Sequence, residues 1–294
     1  MTRLLNRRDQ LKLTASALSV FGLWPEIPIA WSGEPILPGQ AVVRQPTIDL
    51  QFNDHQGLAQ WWLPELLLLG NTDVQVATQG PADWKRVDGE WSYNRVTPDG
   101  RLSVKVTVQQ IQLGWMATLT ICNRSDTTWS NVVAPVCLLL HASGVFQDPQ
   151  WTRTFYRSNG KFITYAGCET DGGRDLFRMT LVKGQKMLER SDDHREKWGF
   201  TKRLSDDGII AVVSSDGSAV LTTTWNPSHH LQANRRRTYS CIHANPYFGT
   251  LAPGESRTSH GYVFLINGDL EHAWSETKRV VRETSANQSK TSER

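Results

Sequence analysis

Apolar and polar residues alternate along most of the chain between residues 47 and 266. Segments with this period of two are 47–52, 101–113, 116–121, 161–166, 175–182, 208–215, 218–225, 237–243 and 260–266. Alternation of this kind predicts β-strands with one buried face. Turn residues separate the segments, and Asp216-Gly217 is the strongest hairpin signal among them. The pattern therefore predicts an all-β fold.

A helical pattern stands out at the end of the chain. Between residues 269 and 283, apolar side chains recur at 270, 273, 274, 280 and 281, and Asp269 is in place to cap the helix. Residues 285–294 are polar and predict a disordered tail. We find no internal repeat and no linker between residues 47 and 283. We therefore predict a single domain, 33–284, with a short C-terminal helix.

The first 32 residues have the pattern of a targeting segment. A basic start is followed by an uncharged apolar run at 13–23, then by Pro25 and Pro28, and by the small residues Ala30 and Ser32 before a cleavage point at Gly33. The apolar run is shorter than the roughly 20 residues of a membrane span. The alternative, an amphipathic first helix of the domain, needs an apolar stripe, but this run is apolar on all sides.

The leader also resembles a twin-arginine signal. Arg7 and Arg8 are adjacent, and Leu11 and Lys12 follow at the positions typical of such signals. The resemblance implies export in the folded state by the twin-arginine (Tat) translocase. It places the mature protein in the periplasm or outside the cell.

Charge and cysteine content narrow the possible partners. The chain has 32 basic and 29 acidic residues, and the leader takes four basic and two acidic ones, which leaves 28 against 27. A nearly neutral mature chain favours neither nucleic acid nor a membrane surface as a partner. The four cysteines form no CxxC motif, and a chain that folds before export needs no disulfide. Their pairing after export stays open, with three possible connectivities.

Two segments resemble the galactose-mutarotase-like superfamily. In LTICNRSDTTWSNVVAPVCLLL, 119–140, a strand ends at Asn123; in YSCIHANPYFGTLAPGESRTSHGYVFLI, 239–266, a Pro-Gly-Glu turn precedes the last strand. The resemblance covers about 50–266. It implies a large antiparallel β-sandwich, the supersandwich of sugar epimerases, polysaccharide lyases and glycosidase domains. A Pro-Gly-Glu turn also occurs in immunoglobulin-like sandwiches, which remain the alternative.

The stretch 225–247 is richest in residues suited to a sugar. Aromatic rings pack on the C–H faces of sugars, and amides, guanidinium groups and imidazoles form paired hydrogen bonds with neighbouring hydroxyls. The predicted binding residues there are Trp225, His230, Asn234, Arg237, Asn245 and Tyr247. Trp84 and Trp151, each in a loop beside a basic residue, are predicted as exposed stacking platforms. The alternative is a loop of solvated basic residues.

The resemblance also suggests catalytic groups. Mutarotase-like chemistry pairs a His acid with a Glu base, here His229 or His243 with Glu169, Glu196 or Glu255, although Glu255 belongs to the turn and is interpreted as structural. Lyase chemistry needs a cation or amide and a base. The candidate catalytic residues for epimerase or lyase chemistry are His229, His243, Tyr239 and Arg235.

The sequence predicts neither a metal site nor a cofactor. His229 and His230 are adjacent, and in an extended strand they would face opposite sides. Cys241 lies in an apolar run and is interpreted as core. The charged cluster 191–198 is interpreted as solvated surface. Zinc-protease, calcium-loop, P-loop and serine-hydrolase motifs do not occur in the chain.

Three functions remain open from the sequence. The first is an exported carbohydrate-recognising β-sandwich protein. The second is a polysaccharide lyase or sugar epimerase-type enzyme. The third is a non-catalytic structural or interaction protein of the envelope. The first two predict a cleft around Trp225, whereas the third predicts a flat surface there.

Overall fold

A computed structural model describes residues 41–44, 47–52, 58–69, 72–75, 82–140, 143–171, 176–188, 199–235 and 240–292. The predicted leader, residues 1–32, lies outside these ranges. So do four other features of the sequence interpretation, namely Glu196, the cluster 191–198, Arg237 and Tyr239. Predictions that concern them are not tested by the structure.

The described residues form twenty-one strands and one long helix. The strands are β1 (Ala41–Arg44), β2 (Thr47–Gln51), β3 (Leu58–Trp62), β4 (Leu66–Leu69), β5 (Thr72–Gln75), β6 (Lys85–Val87), β7 (Glu90–Val96), β8 (Leu102–Ile111), β9 (Gly114–Asn123), β10 (Trp129–Val133), β11 (Cys137–Leu139), β12 (Thr154–Ser158), β13 (Lys161–Thr164), β14 (Thr170–Asp171), β15 (Phe177–Leu181), β16 (Phe200–Thr201), β17 (Ile209–Val213), β18 (Ala219–Asn226), β19 (Ser228–Arg235), β20 (Ser240–Leu251) and β21 (Ser256–Asn267). A short 3-10 turn spans Tyr165–Gly167, and the helix α1 spans Leu270–Ser292.

The strands form two sheets. The large sheet has twelve described strands in the order β1-β2-β3-β11-β20-β19-β15-β16-β14, with β10, β4 and β5 attached beside the second half of β20. The small sheet has nine described strands in the order β13-β12-β17-β18-β21-β9-β8-β7-β6. Pairing is antiparallel, except that β15 and β16 run parallel. The prediction of a large, mainly antiparallel β-sandwich is confirmed.

The main hydrophobic core lies between the two sheets. Along β8, buried residues alternate with more exposed ones, as the sequence period predicts. Trp61 of the large sheet and Trp225 of the small sheet meet in this core, with ring centroids 6.1 Å apart. Both rings are almost completely buried. This contact helps to hold the two layers together.

The two segments that carry the family resemblance contact each other. The Asn123 backbone N–H donates to the Glu255 carbonyl over 2.9 Å, and the Gly254 N–H donates to the Asn123 carbonyl over 2.8 Å. Gly254 has φ +76°, a conformation that glycine adopts without strain. The Pro-Gly-Glu turn therefore fixes the end of β9 against the start of β21.

The helix α1 covers the outer face of the small sheet. Trp274 packs edge-on against Phe162 at 5.1 Å, and its Nε1 donates to Asp207 over 2.8 Å. The predicted N-cap is present, since Asp269 Oδ1 accepts from the His272 N–H. The helix continues to Ser292, past the predicted end at 283 and through most of the segment 285–294. In this part of the helix the hydroxyls of Thr284 and Ser285 donate to the carbonyls of Val280 and Val281, one turn back.

Among the described residues there is no helix with the length and apolar content that crossing a membrane requires.

Candidate functional site

Within the stretch 225–247, residues 228–235 and 240–247 lie in two neighbouring strands of the large sheet, β19 and β20, so these residues are not a loop. In the antiparallel pairing of β19 with β20, Gln232 lies opposite His243, and Asn234 lies opposite Cys241. Leu231 and Ala233 point to the core between the sheets. The alternate side chains of β19 therefore face away from that core. The period of two in residues 230–234 is the signal that could have predicted this strand.

A row of polar side chains crosses the outer face of the large sheet. We call this row the polar face; its members are Asp49, Gln60, Gln232, Asn234 and His243. They are buried, except that Asn234 is half-buried. Burying a polar group lowers the stability of the fold unless the group forms a hydrogen bond. The hydrogen-bond partners of these side chains therefore show how the face is stabilised.

Most of the row is held by hydrogen bonds between side chains. On β2 and β3, Gln60 Nε2 donates to Asp49 Oδ1 over 3.0 Å, and Trp62 Nε1 donates to Gln60 Oε1 over 3.1 Å. On β19, Gln232 Nε2 donates to Asn234 Oδ1 over 2.7 Å. Asn234 Nδ2 lies 3.0 Å from Nε2 of His243 on β20. The network therefore links neighbouring strands at both sides of the face.

Two cysteines adjoin His243 at the centre of the polar face. Cys241 Sγ lies 3.3 Å from His243 Nε2, and Cys137 on β11 completes a group whose ligand atoms lie within 4.8 Å of one another. All three residues are buried. The β11–β20 register pairs Leu138 with Ile242, so Cys137 lies across from His243. The sequence interpretation of Cys241 as core is correct for its burial but missed these polar neighbours.

Glu65 faces the other nitrogen of the same imidazole. Its Oε2 lies 4.0 Å from His243 Nδ1, and its side chain is 23% exposed. Glu65 occupies the corner between β3 and β4, where its N–H donates to the Pro135 carbonyl at the corner between β10 and β11. Sequence reasoning did not select Glu65, because this contact is set by two corners that are distant in the chain.

The central groups shift one another's pKa values. The hydrogen bond from Cys137 lowers the pKa of Cys241 well below its usual value, with further lowering by His243. The same hydrogen bond, together with burial, raises the pKa of Cys137. Burial lowers the pKa of His243, but the Cys241 thiolate more than offsets this, and the pKa is raised. Burial raises the pKa of Glu65 despite the opposing effect of His243.

The rings of His229 and His230 meet each other. Their Nδ1 atoms lie 2.9 Å apart, whereas an extended strand would have placed the two rings on opposite sides. An irregularity in the β19–β20 pairing between Ser228 and His230 explains the difference, because a bulge re-aims a side chain. His229 Nε2 bonds to the Lys186 carbonyl over 3.0 Å. Burial lowers the pKa of His229 to about 4, which keeps the ring neutral.

The tryptophans predicted as platforms contribute mainly to packing. Trp225 and Trp151 are each 2% exposed. Trp151 lies beneath the guanidinium groups of Arg178 and Arg235, at 5.1 and 4.5 Å from its ring centroid. The expectation that Trp151 is exposed is therefore wrong, because two cations cover it. Trp84 is half-buried and packs edge-on against Tyr93 at 4.7 Å.

The other predicted residues have local partners. Asn245 is fully buried, and its Oδ1 accepts from the Val136 N–H over 3.0 Å. Tyr247 is half-buried and donates to Asn131 Oδ1 over 3.0 Å. Its ring lies 5.3 Å from that of His229. Of the predicted site residues, Asn234 and His243 therefore lie together on the polar face, and His230 and Tyr247 lie against His229.

The two remaining glutamate candidates are engaged elsewhere. Glu169, with a side chain 80% exposed, forms an ion pair with Lys202 at 3.2 Å. Glu255 accepts from the Ala252 N–H and from Arg257 Nε, each over 2.9 Å, within its own turn. This geometry agrees with the interpretation of Glu255 as structural. The described acidic residue facing His243 is Glu65.

Comparison with known proteins gives similar folds at very low sequence identity. No family model matches the chain, and no curated protein matches it. A putative aldose 1-epimerase from Escherichia coli K12 is 10% identical over 79% of this chain and 80% of its own, with a TM-score of 0.42. A galactose mutarotase-like protein from Lactobacillus casei ATCC 334 is 9% identical over 77% of this chain and 99% of its own, with a TM-score of 0.42.

A third solved structure, a galactose mutarotase-like protein from Clostridium acetobutylicum, is 11% identical over 76% of this chain and 87% of its own, with a TM-score of 0.39. At such identities and TM-scores the likeness concerns the fold alone, and the function has to be argued from the residues of this chain.

Proposed function

We propose that the polar face of the large sheet binds a carbohydrate. The observation that carries this proposal is two hydrogen-bonded groups of side chains on that face, Asp49 with Gln60 and Trp62 on β2 and β3, and Gln232 with Asn234 and His243 on β19 and β20. A row of buried polar groups on a sheet contributes less to stability than an apolar face of the same shape. Recognition of a polar ligand gives a reason for such a row.

The chemistry of the row suits vicinal hydroxyl groups. The side chains of Gln60, Gln232 and Asn234 each offer an oxygen acceptor and two N–H donors in one plane. The Trp62 indole, which donates to Gln60, lies beside them and is half-buried. Aromatic rings of this kind pack against the C–H face of a sugar. The set therefore combines hydrogen bonding and stacking in one place.

The charges of the polar face favour a neutral sugar. Its described members include Asp49 and lie beside Glu65, and neither Lys nor Arg belongs to the described row. Arg178 on β15 and Arg235 at the end of β19 lie over the Trp151 ring. Among the residues that the structure describes, a uronate on this row would meet carboxylates without an opposing lysine or arginine, which is unfavourable. This supports neutral over acidic sugars.

Binding measurements with two amide variants test the proposal. Affinity electrophoresis and calorimetry against a panel of neutral and acidic oligosaccharides should detect a neutral ligand. Gln232→Leu and Gln60→Leu should each weaken it by about fivefold to tenfold, the loss of one hydrogen bond. The matched control is Gln110→Leu on the exposed surface of β8, which should bind as the parent does.

Absence of binding across the panel would reject the proposal, and so would equal effects of Gln232→Leu and Gln110→Leu. The enzymatic alternative, sugar epimerase or polysaccharide lyase chemistry, predicts turnover in addition to binding. Polarimetry of freshly dissolved neutral sugars reports anomer exchange. Ultraviolet absorbance during incubation with uronate polymers reports lyase products. Binding without either signal favours carbohydrate recognition alone.

Export by the twin-arginine route is part of the same proposal. It rests on residues 1–32, whose adjacent arginines are Arg7 and Arg8. In a bacterial host, replacing both by Lys should leave the unprocessed precursor in the cytoplasm. The parent chain should be found cleaved outside the inner membrane. Equal processing of the two chains would contradict this part of the proposal.

A further inference from the structure

A group of two thiols and an imidazole lies at the centre of the polar face. Cys137, Cys241 and His243 gather two sulfurs and one imidazole nitrogen within 4.8 Å of one another. The three residues come from two adjacent strands, and all are buried. Carbohydrate recognition needs no thiols, so this group requires a separate explanation.

We propose that Cys137, Cys241 and His243 bind one zinc ion. Two thiolates and an imidazole are a ligand set that zinc prefers, and three protein ligands leave one coordination position for water. The proposal concerns this chain's own residues and does not depend on carbohydrate binding.

The distances are close to those of a tetrahedral site. Zinc lies about 2.3 Å from sulfur and about 2.0–2.1 Å from imidazole nitrogen, so its ligand atoms are about 3.5–3.8 Å apart. Cys241 Sγ and His243 Nε2 are 3.3 Å apart, and the three ligand atoms span at most 4.8 Å. Side-chain adjustments of under about 1 Å therefore form the site.

The sheet holds these ligands in place before any metal arrives. Cys241 and His243 alternate along β20 and so share one face, and Cys137 lies across from His243 on β11. Leu139, on the same face as Cys137, packs in one buried cluster with Cys137 and Cys241. Strand-borne ligands are positioned more precisely than ligands on loops.

The other side of the imidazole has the partner that metal-bound histidines usually have. His243 Nδ1 forms no hydrogen bond among the described residues and faces Glu65 Oε2 at 4.0 Å. When Nε2 binds a metal, Nδ1 carries the proton and commonly donates to a carboxylate. Asn234 Nδ2 lies 3.0 Å from His243 Nε2. A zinc ion bound to Nε2 would therefore replace the Asn234 amide as the partner of that nitrogen. Glu65 is therefore a positioning residue.

Formation of the site releases protons. Thiolates and neutral imidazole are the forms that bind zinc, so each thiol, and the imidazole where it is protonated, releases its proton to solvent on binding. No oxidant or reductant is involved.

Cobalt(II) binding to the reduced full-length chain tests the proposal. Under anaerobic conditions, one equivalent should produce a thiolate-to-cobalt charge-transfer band and the visible bands of a tetrahedral centre, and zinc should displace both. Cys137→Ser and Cys241→Ser should lose the charge-transfer intensity in part or whole. Cys122→Ser, half-buried on the other sheet, is the matched control and should keep it.

Two further measurements keep the result decisive if a cysteine variant folds poorly. X-ray absorption of the zinc-loaded parent should show two sulfur neighbours and at least one imidazole. Glu65→Gln should weaken zinc binding by about tenfold to a hundredfold with unchanged ligands. Glu169→Gln, at an exposed glutamate, should have no effect.

Several outcomes would overturn the zinc site. Cobalt bound without a charge-transfer band would show that the sulfurs are not ligands. Zinc affinity unchanged in both Cys137→Ser and Cys241→Ser would show the same. A reduced chain that takes up no zinc and instead forms a Cys137–Cys241 disulfide in air would assign the pair to redox chemistry.

Discussion

The indole ring of Trp225 lies directly on the backbone of Gly261, its partner across the β18–β21 ladder. A Cβ atom built on Gly261 would lie 2.1 Å from Cε2 of Trp225. The absence of a side chain at this position lets the ring lie flat on the small sheet and reach Trp61 of the large sheet. A single glycine therefore sets the geometry of a contact between the two layers.

Gly261→Ala should destabilise the protein by about 2–3 kcal/mol, because the new methyl group displaces a buried indole. Denaturant unfolding followed by tryptophan fluorescence measures the change. Gly144→Ala is the control, since a Cβ atom built on Gly144 would have no atom within 4 Å and its φ is not positive. It should differ from the parent by less than about 1 kcal/mol. Equal effects of the two substitutions would contradict the role of Gly261.

Asn123→Ala should cost about 2–3 kcal/mol, because several buried groups lose their partners. Asn123 Nδ2 donates to the carbonyls of Thr127 and Leu251, and its Oδ1 accepts from the Ser125 N–H and hydroxyl. Urea unfolding measures the loss. Asn94→Ala, at an exposed position of β7, should change stability by under about 0.5 kcal/mol. A small effect at Asn123 would mean that water replaces its bonds.

Trp274→Ala should destabilise the protein by about 3–5 kcal/mol, because a fully buried ring of α1 is removed from the small sheet. Trp274→Phe retains most of the packing but loses the bond to Asp207, so it should cost clearly less. Thermal unfolding and binding of a hydrophobic dye measure both. His272→Ala, exposed on the same helix, is the control. Equal loss from Trp274→Phe and Trp274→Ala would show that the hydrogen bond dominates.

The stability of the protein should fall below neutral pH through His229. Its folded pKa of about 4 lies below the ordinary value of 6.5, so the unfolded chain binds this proton more readily. Its contribution is complete above about pH 6.5 and is lost as pH falls towards about 4; at about pH 5 the loss is about 2 kcal/mol. Guanidinium unfolding at about pH 7.5 and about pH 5 measures this loss.

The control for this pH effect is His229→Gln, which removes the titrating group. Its stability should fall less than that of the parent between the two pH values. His243 and His260 titrate in both chains, so their contributions cancel in the comparison. An equal fall in both chains would contradict the assignment to His229.

The prediction of strands from the sequence was strongest where one face of a strand is apolar. The segments 101–113 and 218–225 match β8 and β18, because side chains that alternate between the core and an exposed or covered face leave a period of two. The strand β19 is not among the segments predicted as strands, although Leu231 and Ala233 alternate there with His230, Gln232 and Asn234.

The candidate site could be predicted only in part. His243 and Asn234 were selected from their chemical types, and they do lie together. Glu65 and Cys137 were not, because their positions beside His243 depend on strands that are distant in the chain. Trp151 was predicted to be exposed, but a local sequence cannot show that Arg178 and Arg235 cover its ring.

The sequence by itself determined the all-β class, the C-terminal helix with its Asp269 cap, and the structural role of the Pro-Gly-Glu turn. These features depend on contacts between residues close in the chain or on the alternation within one strand. Tertiary structure alone decided which polar side chains share a face, because strand order and register bring β3, β11, β19 and β20 together. The group formed by Cys137, Cys241, His243 and Glu65 exists only through that arrangement.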